Sequence, residues 1–251
     1  MILKYIFRHT NPDFLNRDLE KLTPKDIMFR KAIYHSGFKF GLLLLSAITF
    51  IGVFVPFFVD MSPYDQDISK RLLPPVWSEG GSWQYIFGTD GNGRDYLARI
   101  IYGTRVSLTI GIGAATVGML IGVTLGVIAG YFGGIVDQVV SYILTCQLAL
   151  PGILFLLTII SIVGSSLTVV ILVIGVLHWT LFLVVTRAAT QRIRNLDYIT
   201  AANAIGASKT NIIFTDILPN VLNQIIVIFT LEVGVAILAE ATISFLGLGI
   251  Q

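Results

Sequence analysis

Two runs of this chain carry no Lys, Arg, Asp or Glu at all: 31 residues from 106 to 136 and 49 residues from 138 to 186. A helix needs only about 20 predominantly apolar residues to cross a bilayer. In lipid every backbone N–H and C=O must be satisfied inside the protein, which leaves helices or closed barrels. The strict apolar–polar alternation of barrel strands is absent. The fold class is therefore all-α, a polytopic transmembrane helical bundle. Composition agrees: 55% of residues are hydrophobic and 13% charged, where a soluble domain carries about a quarter charged residues.

Five spans are visible, at 40–59, 106–131, 139–163, 167–185 and 221–246. Pro56 stands near the end of the first. The third is broken midway by Pro151-Gly152, since proline cannot donate a helical hydrogen bond and its ring collides with the preceding turn. Residues 1–36 form a mixed, charged N-terminal segment. Within it, residues 1–9 are weakly amphipathic, and Thr23-Pro24 reads as a helix start. The first apolar run comes too late and is too long for a cleavable signal peptide. Residues 37–251 form the transmembrane domain, with a polar loop at 60–104 and a second at 187–220. Cys146, the single cysteine, reads as a small packing residue in an apolar run.

Basic residues set the orientation. Eight precede the first span: Lys4, Arg8, Arg17, Lys21, Lys25, Arg30, Lys31 and Lys39. The 60–104 loop has four basic and six acidic residues, and the 187–220 loop has four basic and two acidic. The positive-inside rule places the N-terminus in the cytoplasm, 60–104 outside and 187–220 inside. The net charge of +2 is too small to suggest a nucleic-acid partner.

Three features stand out within the spans. Ala114, Gly118, Gly122, Gly126 and Gly130 recur every fourth residue, a small-residue stripe that lets another helix approach closely. Glu232 and Glu240 sit inside the fifth span, where an ionised carboxylate is costly. They are expected to face a bundle interior or an aqueous path, or to be protonated, and Glu240 is also near enough to the outer end to sit at the interface. His178 in the fourth span is of the same kind. It has no cluster of further ligands, so it reads as a hydrogen-bonded core histidine and no metal is expected. Ahead of the second span, residues 88–95 form a turn followed by a helix, with Asp95 and Arg99 placed as an i,i+4 pair.

The most structured polar segment is 198–220. Asp197 is placed to cap a short helix that Gly206 can end, and Ser208 to cap a second. Between them lie Ala201, Ala202, Ala204 and Ala207, and Pro219 closes the segment. A short helix with a small-residue tip on a membrane face can dock into a partner's groove.

The spacing of Ala201-Ala202, Gly206 and Leu218-Pro219 resembles the "EAA" loop of permease subunits in binding-protein-dependent ABC importers. Thr200 stands where that pattern has Glu, which in the family helps anchor the loop to the ATPase. The stretch GTDGNGRDYLARIIYGTRVSL and the final AEATISFLGLGIQ resemble the dipeptide, oligopeptide and nickel branch of the same permeases. The likeness runs from about residue 40 to the end. It implies a sixth, C-terminal span; a bacterial cytoplasmic-membrane location; and, as partners, a second homologous permease, two ABC ATPase subunits and an external solute-binding protein. Thr200, Ala201, Ala202, Gly206, Ala207 and Pro219 would form the ATPase-coupling loop.

No Gly-x-x-x-x-Gly-Lys-Ser/Thr motif occurs, so the chain is not expected to bind or hydrolyse ATP. A membrane-embedded enzyme would need a nucleophile–base or metal constellation that the sequence lacks, so neither enzymatic activity nor a cofactor is expected. The expected function is alternating-access translocation of di- or oligopeptides, driven by separate ATPases. The alternative is a stand-alone ion-coupled secondary transporter or channel. It would use Glu232, Glu240 and His178 as proton or ion ligands, but only one clear helix break and no convincing repeat support it.

Overall fold

The computed structural model describes residues 33–58 and 62–249. The amphipathic stretch at 1–9, the helix start at Thr23 and the last two residues of the C-terminal motif lie outside them. The chain divides into two compact units, residues 1–105 and 106–251.

In the first unit, α1 (Ser36–Phe58) is apolar on every face and exposes nearly all of it, as a helix surrounded by lipid does. Gly52 is buried; a Cβ there would come within 2.9 Å of the Thr104 methyl. The loop at 62–95 is held by polar contacts. Asp67 caps a short 3-10 turn, Ile68–Lys70. The Thr89 hydroxyl donates to the Lys70 carbonyl and accepts from the Leu73 N–H. Backbone bonds join Leu72 to Asp90 and Val76 to Ile86.

α2 (Tyr96–Phe132) begins ten residues before the apolar run does. Arg99 and Arg105 interrupt the hydrophobicity without interrupting the helix. The expected Asp95–Arg99 pair is not what forms. The Asp95 carboxylate caps the helix, accepting from the Leu97 and Ala98 N–H groups. Arg99 instead reaches back to Asp90.

Asp90 is the centre of this loop. It accepts from the Asn92 and Arg94 N–H groups at 2.8 and 3.0 Å and pairs with both the Arg94 and Arg99 side chains. Burial pushes its carboxyl up, but these donors outweigh burial and hold it well below the usual carboxylate range.

In the second unit α2 continues to Phe132 and is followed by α3 (Gly134–Leu148), α4 (Gly152–Val163), α5 (Leu167–Leu177) and α6 (Trp179–Arg194). Next come α7 (Asp197–Ala204), a single turn α8 (Lys209–Asn211), a π-helical segment (Ile212–Ile217) and α9 (Leu218–Phe245). Among the described residues four helices are long and apolar enough to cross a membrane, and the bent pair α3–α4 makes a fifth span if counted as one. The pair bends by 79° at the break that Pro151 marks.

A second break, at His178, divides the fourth span into α5 and α6. The sequence carries no proline there. The interruption is slight: the His178 N–H still reaches Ile174, Leu167–Arg194 still counts as one apolar span, and a side chain from α3 bonds the Leu177 carbonyl beside it, as described below.

Among the described residues, three buried clusters run through this unit. One joins Ile110, Ala114, Leu156, Ile160, Val170, Ile174, Ala236 and Ile243. A second joins Ala129, Val140, Trp179 and Leu183. The third joins Tyr131, Ile193, Ile199, Ile212, Ile217, Val221 and Ile225. α9 packs along α6 and α5, and α4 packs on α5.

Candidate functional site

The corner between α6 and α9 is built from a short helix, a left-handed turn and a capped restart. α7 has Leu196 at its N-cap, and no side chain caps it. Asp197 is the first residue of the helix rather than its cap, where its charge favours the helix N-terminus. Gly206 ends the helix with φ +82. Its N–H bonds to the Asn203 carbonyl and the Ala207 N–H reaches back to Ala202, the paired bonds of a Schellman turn. A Cβ on Gly206 would meet only open space, so backbone conformation alone selects glycine there. Ser208 accepts from the Asn211 N–H and restarts the helix.

The inner side of this corner is apolar and tightly held. Ile199, Ile212, Ile217 and Val221 are fully buried with Tyr131 and Ile193. Ala202 and Ala207 pack against the same cluster. The Arg194 guanidinium donates to the Tyr131 carbonyl at 2.9 Å, and Lys209 sits 5.6 Å above the Phe132 ring. The outer side is open: Thr200, Ala201, Gly206 and Pro219 are exposed, and Ile205 is 85% exposed. The Thr200 hydroxyl turns back onto the Leu196 carbonyl of its own helix at 3.4 Å.

The helix after Ser208 is not a regular α-helix. Residues Ile212–Ile217 are wound in π register, and the Leu218 N–H bonds to the Ile213 carbonyl. Pro219 follows at the start of α9. In a regular α-helix its ring would meet the carbonyl of Thr215; the wider π turn falls on those residues.

The small-residue stripe of α2 lies against α5 and α6. A Cβ on Gly118 would approach the His178 carbonyl at 3.2 Å, and one on Gly122 the Phe182 Cβ at 2.6 Å. At Gly126 the neighbour would be the Leu183 carbonyl at 2.9 Å, and at Gly130 the Thr190 Cβ at 2.7 Å. Ala114 stands opposite Gly175, whose own Cβ would lie 2.8 Å from the Ala114 carbonyl.

The structure brings His178 and Glu232 together, from two spans, with His178 Nδ1 2.6 Å from Glu232 Oε2. Glu232 is 6% exposed. Glu240 is also buried and hydrogen-bonds Ser244 at 2.6 Å, so it does not stand exposed at an interface. Sequence reasoning missed Gln147, whose amide spans the break at His178. It donates to the Leu177 carbonyl at 2.8 Å and accepts from the Trp179 indole N–H. It also missed the ion pair between Asp137 and Arg187, 2.6 Å between Oδ2 and Nη2. The available signal was an isolated polar residue within, or at the edge of, an apolar run.

A cavity of about 500 Å³ opens beside the break, lined by Gln147, His178, Thr180, Leu150, Phe155 and Ala239 among others. Cys146 also lines it and is exposed, rather than being packed in the core. Among the described residues no cluster of three His, Cys, Asp or Glu side chains could hold a metal.

Residues 122–251 match the family described as "Binding-protein-dependent transport system inner membrane component". The chain is 38% identical to the dipeptide transport system permease protein DppC of Haemophilus influenzae, over 85% of this chain and 72% of that one. It is 34% identical to the di/tripeptide transport system permease protein DppC of Pseudomonas aeruginosa, over 91% and 76%. With the dipeptide transport system permease protein DppC of Alkalihalophilus pseudofirmus it shares 39% identity, over 84% and 67%.

Proposed function

The chain belongs to the family of inner-membrane components of binding-protein-dependent transport systems, and on that premise we propose that the solute it carries is a short peptide. It is a multi-pass permease subunit of an ABC importer, not an enzyme, and the family implies separate ATPase and solute-binding partners. The peptide assignment follows the names of the relatives, which are dipeptide or di/tripeptide permeases.

In this reading the subunit pairs with a second, homologous permease and two ATPases in a bacterial cytoplasmic membrane, its N-terminus inside. Residues 1–36 lie in the cytoplasm, 37–251 form the permease domain, and 60–104 face outward. Residues 187–220 carry the ATPase-coupling loop, with Thr200, Ala201, Ala202, Gly206, Ala207 and Pro219 at the contact. The observation that carries this role is the two-sided corner. Its buried isoleucines tie it to α2, α6 and α9, while its tip, Ile205 above all, has no cover. A push on the tip is then delivered to the spans. ATP drives alternating access only by binding one state of the assembly more tightly than the other.

The test is purification of the tagged chain in a gentle detergent, with mass spectrometry of what travels with it, followed by dipeptide uptake in proteoliposomes. A Walker-motif ATPase, a second permease and ATP-dependent uptake are expected. Recovery of this chain alone, with uptake that needs no ATP, would overturn the reading. Gly206→Trp is expected to abolish ATP-driven uptake while membrane insertion persists, because bulk at the tip blocks docking; normal uptake would remove the coupling role.

A further inference from the structure

Four polar side chains from three helices of the second unit, Gln147, His178, Trp179 and Glu232, meet at one point. The α5–α6 interruption falls at His178. The Gln147 amide from α3 covers the Leu177 carbonyl and the Trp179 indole. Glu232 from α9 takes the His178 ring. The α3–α4 break follows Gln147 within four residues, and the cavity of about 500 Å³ lies between the two breaks, bordered by Gln147, Leu150, Gly152 and His178. Two interrupted helices, an empty volume and a hydrogen-bonded hub therefore share one site.

α9 supplies the other half of the argument. It starts directly after the π segment of the corner and runs to Phe245. Glu232 lies about 20 Å along it at 1.5 Å per residue. The corner and the His178 partner are thus on the same rod, and a displacement of the corner is felt at Glu232. Other titratable groups lie on the same helices. α2 has no titratable side chain between Val106 and Gly130. Cys146 on α3 lines the cavity, Glu240 on α9 is bonded to Ser244, and Arg187 on α6 is paired with Asp137.

Resting on the importer reading above, we propose that His178 and Glu232 are a positioning pair, a latch between α9 and the broken span that is closed in this conformation and opens in the transport cycle. Neither residue is assigned contact with the solute. Opening leaves two polar groups at membrane depth, and the cavity beside them is where the His178 ring can turn. The latch therefore sets the balance between conformations rather than the affinity for solute.

The test uses the assembled importer in proteoliposomes, on a Cys146→Ala background, with His178→Cys and Glu232→Cys joined by a short, cleavable bifunctional thiol reagent. Bridging is expected to cut uptake of radiolabelled dialanine at least tenfold, with cleavage of the linker restoring it. Undiminished uptake by the bridged protein would overturn the latch. Uptake by the unsubstituted importer, measured in parallel, separates this outcome from failure of the peptide reading.

Should the unbridged cysteine pair be inactive, the ratio of binding-protein-stimulated to basal ATP hydrolysis decides. Glu232→Leu is expected to lower that ratio at least threefold. Glu232→Gln, which can still hydrogen-bond His178, is expected to recover most of it. An unchanged ratio in Glu232→Leu, with or without less assembled complex, would assign the pair to static packing and overturn the proposal.

Discussion

The 62–95 loop and the 196–220 corner are both polar in sequence, yet they are held in opposite ways. The loop is fastened by hydrogen bonds and ion pairs around Asp90 and Thr89, and exposes large side chains such as Trp83. The corner is fastened by apolar burial under Ile199, Ile212 and Ile217, and its hydrogen bonds are mostly local to its own turns. A loop locked by its own polar bonds keeps its shape whatever the helices do. A corner locked by packing against three spans moves when they move. That is the construction expected of a part that transmits force.

The largest break in this comparison should come from the corner's core. Ile212→Ala removes a fully buried side chain and should cost about 2–5 kcal/mol. A lowered melting temperature in detergent and loss of ATP-driven uptake together would register it; an unchanged melting temperature would show that the corner is not held by this cluster.

Asp90→Asn should act on the loop alone. It keeps the shape but removes the charge that two guanidiniums and two N–H groups address, a loss of about 1.5–3 kcal/mol for bonds to a charged group. Faster amide exchange at 70–95, with little change at 196–220, is the expected pattern. The carboxyl is held below its ordinary range, so its contribution is full above the unfolded value of about 4 and fades as pH falls through the lower folded value. Amide protection in the loop, corrected for the intrinsic exchange rate, should therefore fall only in acid, and the Asn variant should lose that dependence.

The smallest effect should come from Gly206→Ala. With open space around the Cβ, only the left-handed backbone is penalised, by about 1 kcal/mol. Thermal unfolding should move slightly, and uptake should fall far less than in Gly206→Trp.

Much of this was legible because it is local. Charge-free runs gave the spans, Pro151 marked a break, Gly206 marked a left-handed turn, and Ser208 marked a cap. What escaped was set by partners distant in sequence. His178 interrupts its helix without proline or an adjacent glycine; Gln147 bonds the Leu177 carbonyl from 30 residues away, and Glu232 bonds the His178 ring from 54. Asp95 had two local choices, an i,i+4 pair or a cap, and Asp90 decided between them by taking Arg99. The π winding at Ile212–Ile217 answers a steric problem that Pro219 raises one turn later, which hydrophobic periodicity does not register.

The stripe on α2 has a mechanical meaning beyond close packing. Its glycines lie against backbone on both sides of the interruption at His178, from Gly175 to Thr190. α2 is thus a splint laid across a fracture. A splinted fracture cannot fold toward the splint, and the two fragments travel as one piece. Motion of the corner then reaches that piece as a whole through α9, which lies close against α2 at Gly111 and is hydrogen-bonded to His178 through Glu232.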